Sequence, residues 1–112
     1  MNLKKLLIAL LLIPTLAFAA DEPSQYFLDT LARAEQGDAI AQSSLGFMYA
    51  NGEGVPENNV RAYVWWSVSA AQGNESARTN RDSVSGRMTP ERLGTAQDLA
   101  TRCFESDFQD CE

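Results

Sequence analysis

Residues 36–73, Gln36 to Gly73, read QGDAIAQSSLGFMYANGEGVPENNVRAYVWWSVSAAQG, and this stretch decides the fold. The triplet Gln36-Gly37-Asp38 returns as Gln72-Gly73-Asn74, a period of 36 residues. A period of that size signals stacked helical units. Each triplet reads as a stop followed by a start. Glycine accepts the left-handed backbone that ends a helix. Asp38 or Asn74 then caps the free N–H groups of the next one. Between the marks, Ala41, Leu45, Met48 and Tyr49 fall on one helical face. Asn51-Gly52-Glu53-Gly54 is turn chemistry, and Val55-Pro56 keeps the chain out of the helical region. A second helix carries Ala62, Trp65, Trp66, Ser69 and Ala70. Gly46 sits inside the first helix, where it costs about 1 kcal/mol relative to alanine. Close approach of a neighbouring helix backbone is the expected compensation.

These residues resemble a Sel1-like repeat, an α/α solenoid unit related in architecture to tetratricopeptide repeats. The resemblance is carried by Ala39-x-Ala41-Gln42, Leu45-Gly46-x-Met48-Tyr49, Gly52-x-Gly54-Val55-Pro56, Ala62-x-x-Trp65-Trp66 and Ala70-x-Gln72-Gly73. It covers about a third of the chain. It implies an all-α fold, a short right-handed α/α solenoid of about five helices with one full repeat over 36–73. In that pattern Ala41, Leu45, Gly46, Tyr49, Gly52, Gly54, Ala62, Trp65, Ala70 and Gly73 are the repeat's structural residues. The resemblance also implies an adaptor or scaffold for protein assemblies, with no catalytic centre of its own.

Working outward, residues 24–36 read as a helix with Phe27, Leu28, Leu31 and Ala34 on one side. At the 36-residue offset Ala34 aligns with Ala70, so this helix resembles the second helix of a preceding repeat and caps the stack. Residues 74–105 hold a degenerate half-repeat and a last helix. Ala77 keeps the register of Ala41, but Arg81 and Asp82 replace Leu45 and Gly46. Terminal repeats are expected to be atypical and polar in this way. Thr89-Pro90-Glu91 is a helix start, and Leu93, Ala96, Leu99 or Ala100, and Cys103 form its expected buried side.

Residues 1–19 read as a cleaved export signal of bacterial type. Lys4 and Lys5 precede the apolar run from Leu6 to Ile13, and Ala17-Phe18-Ala19 supplies the cleavage pattern. The expected location is periplasmic or secreted, with no stable membrane insertion once the signal is removed. Residues 20–112 then form one domain, able to bury about 60 to 65% of its unfolded surface. Both lysines lie in the signal, so seven arginines face fifteen carboxylates in the remainder, a net −8. A chain this acidic repels phosphate backbones, so nucleic acid is not an expected partner.

Cys103 and Cys111 are the only cysteines, and export places them where disulfides form. Eight residues of continuous helix span about 12 Å, too far for a bridge. The last helix must therefore end near Glu105, with the tail, 106–112, folding back. A similar spacing occurs in cysteine-rich Sel1-like proteins, where it ties a helix end to the next element.

Catalytic constellations are not legible. The chain has no histidine, the commonest general base and a frequent metal ligand. No lysine follows the signal, which excludes a Ser-x-x-Lys centre. Gly52-Glu53-Gly54 lacks the lysine of a phosphate loop. Glu35 with Asp38, and Glu53 with Glu57, are carboxylate pairs at turns, where solvated charge is the expected reading. The same holds for Glu105, Asp107, Asp110 and Glu112, which lack the spacing of a calcium loop. No cofactor and no metal are expected.

The aromatic second helix is the candidate binding surface. Tyr49, Tyr63 or Trp66 would line an exposed groove, since Trp and Tyr dominate interaction hot spots. Arg61, Arg78 and Arg81 would border it. Trp65 is expected in the core and Trp66 at the seam between helices. The expected function is an exported protein-interaction module that binds a peptide or protein on the face built from first helices. The alternatives are an inhibitor or accessory subunit of a periplasmic cell-wall enzyme and, below that, a hydrolase using a carboxylate pair. One repeat is few for a stable stack, so homodimerisation is the expected supplement if caps and disulfide do not suffice.

Overall fold

Among the described residues five helices follow one another: α1 (Gln25–Glu35), α2 (Ala39–Asn51), α3 (Asn59–Ala71), α4 (Glu75–Ser85) and α5 (Pro90–Glu105). The computed structural model describes residues 22–112, and the described residues are all-helical with connecting turns. The export signal read over 1–19 lies outside the described residues.

Each helix begins on a polar side chain that accepts a backbone N–H. Ser24 accepts from Phe27, Asp38 from Ile40 and Ala41, Asn58 from Arg61, Asn74 from Ala77 and Thr89 from Arg92. Each cap contributes about 1 kcal/mol. The turns at the two Gln-Gly marks have one geometry. Gly37 and Gly73 have φ of 96° and 99°. Gly37 N–H donates to Ala34 O at 3.0 Å and Gly73 N–H to Ala70 O at 2.9 Å. Asp38 N–H reaches Arg33 O, and Asn74 N–H reaches Ser69 O, both at 3.2 Å. The 36-residue period in sequence is thus a repeated backbone turn.

Packing follows chain order: α1 lies on α2, α2 on α3, and α3 on both α4 and α5. The central α3 buries Ala62, Val64, Trp65, Trp66, Val68, Ser69 and Ala70. Burial on so many sides suits a helix that is apolar around much of its circumference. The outer helices bury narrow stripes, Phe27, Thr30 and Ala34 on α1, Ala77 and Val84 on α4. Leu28, expected on the buried side of α1, is 43% exposed. Only α2 packs broadly on α1, so the covered stripe follows Phe27, Thr30 and Ala34 and excludes it. On α5, Ala96 and Cys103 are buried, and Leu93, Leu99 and Ala100 are half-buried.

The core contains polar groups, and they are satisfied. Gln42, with none of its surface exposed, donates to Ala34 O at 3.0 Å and accepts from Gln72 Nε2 at 2.6 Å. Ser69 Oγ donates to Ala39 O at 2.7 Å. Among the described residues no buried side-chain nitrogen or oxygen lacks a partner. These bonds tie the Gln-Gly turn at the end of α3 to the start of α2.

Gly46 is compensated by a side chain. A Cβ there would fall inside contact distance of the Trp66 indole, which lies flat over the glycine. Trp66 Nε1 donates to Ser43 O at 3.1 Å, and the ring meets Phe47 edge-on at 5.5 Å. The close approach expected from a neighbouring backbone is made by an aromatic ring. At the other end of α2, Gly52 is the left-handed C-cap, with φ 67°.

Candidate functional site

Beyond α5 the chain reverses. Asp107 and Phe108 both take left-handed backbone, with φ of 56° and 67°. Phe108 N–H donates to Cys103 O at 2.9 Å, closing the helix end. Cys111 is bonded to Cys103, the two Cα atoms 4.3 Å apart, and both residues are buried. Closing this short loop contributes about 2–3 kcal/mol by restricting the unfolded chain. Cys111→Ser should therefore lower unfolding free energy by that amount while leaving a folded protein, checked by urea titration followed by circular dichroism.

The reversed segment returns to the first helices. Phe108 lies beside Gly37, and Gln109 Nε2 donates to Glu35 O at 2.8 Å. Asp110 pairs with Arg102 at 3.3 Å. From the Glu35–Gly37 turn at one end of α2, the segment reaches Tyr49 near the other end. There the Glu112 carboxylate accepts from two side chains, Tyr49 Oη and Trp65 Nε1, the latter at 2.8 Å.

Both donors are fixed by packing. Tyr49 and Trp65 have 1% and 0% of their surface exposed. Phe27 of α1 meets the Tyr49 ring edge-on at 5.5 Å. The Arg61 guanidinium stands 5.8 Å from the centre of that ring, in cation–π range. Arg61 is in no ion pair among the described residues. Two neutral donors thus meet on one acid group, with a guanidinium that is in no ion pair beside one of them.

Burial pushes the Tyr49 hydroxyl well above the ordinary tyrosine range, and its bond to the Glu112 carboxylate pushes the same way. The sign follows directly. A group with a raised folded-state pKa contributes stability below its unfolded value, about 10 for tyrosine, and loses it as pH climbs through the folded value. The stability difference between the wild-type chain and Tyr49→Phe should be constant at neutral pH. It should shrink in strongly alkaline solution, as read by urea midpoints across the series.

The sequence candidates divide. Tyr49, read both as a structural residue and as a groove candidate, and Trp66, read both at the helix seam and as a groove candidate, are buried. Tyr49 is covered by Phe27 and contacts Glu112; Trp66 is consumed by its packing on Gly46. Tyr63 is half-buried against the core. Arg61 stands at the carboxylate. Arg78 and Arg81 are engaged on α4 itself, with Glu75 at 3.9 Å and Asp82 at 2.9 Å. Trp65, expected as core, is core and a hydrogen-bond donor at once. Glu112 was expected as solvated charge. The only sequence signal for its position was its place beside Cys111.

Concavities lie elsewhere among the described residues. A polar cleft of about 420 Å³ is lined by Glu57, Asn58, Arg87, Thr89 and Arg92, among others. An apolar one of about 290 Å³ lies between α3 and α5, at Val68, Ala100 and Phe104. Among the described residues no three acidic or cysteine side chains cluster as metal ligands, and no helix is long and apolar enough to cross a membrane. No family model, no curated protein and no solved structure matches the chain.

Proposed function

We propose that this chain is an exported protein-interaction module, a short right-handed α/α solenoid with one full Sel1-like repeat at 36–73. It acts by holding a peptide or protein segment against its first helices and performs no catalysis. The observation that carries this reading is the 106–112 segment itself. It already folds back onto three elements, with Gln109 on the Glu35 carbonyl of α1 and Glu112 on buried donors of α2 and α3. The recurrence of one turn geometry at Gly37 and Gly73 supports the repeat. The disulfide is compatible with export to an oxidising compartment.

Site-specific photo-cross-linking in the native envelope tests the reading. A photoreactive residue at exposed position 40 on α2 should give discrete protein adducts, and one at exposed position 98 on α5 should not. Equal adducts from both positions, or none from position 40, would remove the proposal.

A further inference from the structure

The site between Tyr49 and Trp65 is built for a carboxylate and is filled by the chain's own. Tyr49 Oη and Trp65 Nε1 are both neutral donors on buried side chains, and neither has another acceptor. Glu112 satisfies them but leaves Arg61 without an ion-pair partner, although its guanidinium stands over the Tyr49 ring. An occupant with a second carboxylate would engage Arg61 as well, and charge-assisted bonds to guanidinium are the stronger kind.

The turn that leads to Glu112 carries a backbone cost. Asp107 and Phe108 are consecutive non-glycine residues in left-handed backbone. Such a residue costs about 1–2 kcal/mol, and the bulk of Phe108 makes it the less comfortable of the two. The Cys103–Cys111 bond opposes release by anchoring the residue next to Glu112. The resident segment is thus an intramolecular ligand with high local concentration and less than full use of the site.

We propose that the Tyr49–Trp65–Arg61 site binds an acidic, extended peptide of a partner protein, which displaces the Glu112 side chain while the Cys103–Cys111 bond stays closed and opposes the exchange. The inference rests on the interaction-module reading and names its partner's chemistry. The resident segment supplies the template: an aromatic residue beside Gly37, then, four positions on, a carboxylate for Tyr49 and Trp65. A second acid group beyond it reaches Arg61. Because the chain is acidic overall, long-range repulsion opposes such a partner, and salt screens it. Affinity should rise between low and physiological ionic strength, the reverse of ordinary charge-driven binding.

The test uses the full chain as oxidised wild type, Cys111→Ser and Glu112→Gln. The probes are end-blocked peptides FQDSEE and FQNSQQ, with binding read by tryptophan fluorescence. Cys111→Ser should bind FQDSEE at least tenfold more tightly than it binds FQNSQQ, and at least tenfold more tightly than the oxidised wild type does. Arg61→Gln added to Cys111→Ser should remove most of that preference. Glu112→Gln, with its disulfide intact, should fall between wild type and Cys111→Ser. A folded Cys111→Ser that binds both peptides alike, or neither, overturns the assignment. So does its dimerisation on light scattering with a reductant present to keep Cys103 a thiol, which makes a second copy's segment the occupant. If both Cys111→Ser and Glu112→Gln fail to fold, the segment is part of the core and the proposal also falls. Cross-linking from position 40 separates the two levels. Adducts there without peptide binding leave the interaction module standing and remove only the acidic-peptide assignment.

Discussion

Trp65→Ala should lower the unfolding free energy by about 3–5 kcal/mol, the cost of truncating a fully buried aromatic. Trp65 has no exposed surface and lies on α3, the helix that α2, α4 and α5 all pack against. Removing the indole opens a cavity at that junction, where no single helix can move to fill it without leaving another. It also takes away a donor to Glu112. The loss is therefore larger than for a peripheral aromatic such as Phe104, which is 56% exposed. Trp65→Phe separates the two contributions. It should restore most of the stability while still losing the bond to Glu112. Chemical denaturation of the three proteins, with the disulfide intact throughout, provides the measurement.

Gly46→Val should lower the unfolding free energy by about 3 kcal/mol, the upper end of the usual cost of overpacking. On an exposed helix the same change would be favourable, because glycine is the poorer helix former. The sign reverses because the Trp66 indole occupies the place of the missing side chain. The ring cannot withdraw freely. Its Nε1 is bonded to Ser43 O, and Phe47 stands edge-on against it. Gly46→Ala should be destabilising by less, since one methyl group displaces the indole less than three carbons do. If Trp66→Ala is made first, Gly46→Ala should become neutral or favourable. That reversal in a double-mutant cycle would show that the indole is the cause.

The helices and their order were legible because local rules agree with one another here. Capping residues, Gln-Gly stops and apolar periodicity all place breaks at the same positions, and the caps read at Asp38, Asn74 and Thr89 form, with Ser24 and Asn58 capping the other two helices. The disulfide was legible from cysteine count and expected compartment, and the reversal after Glu105 from the reach of a helix. The site was legible only in part. Tyr49 and Arg61 belong to it, but Tyr49 acts as a buried donor and not as an exposed anchor. Trp66 does not belong to it, because which face of α3 meets Gly46 is a property of packing between helices. Glu112 could not be found from local pattern at all. Its partners lie 63 and 47 residues away, and an acidic residue in an acidic segment reads as solvated charge.

The contact between Glu112 and the two buried donors underlies both the interaction reading and the acidic-peptide proposal. Two-dimensional NMR of the indole N–H groups measures it directly, since Trp65 and Trp66 are the only tryptophans. In the oxidised wild-type chain the Trp65 indole proton should be protected from exchange and shifted by the carboxylate. In Glu112→Gln it should move and exchange faster, while the Trp66 indole, bonded to Ser43 O, stays in place. A Trp65 resonance unchanged by Glu112→Gln would contradict a carboxylate held between Tyr49 and Trp65.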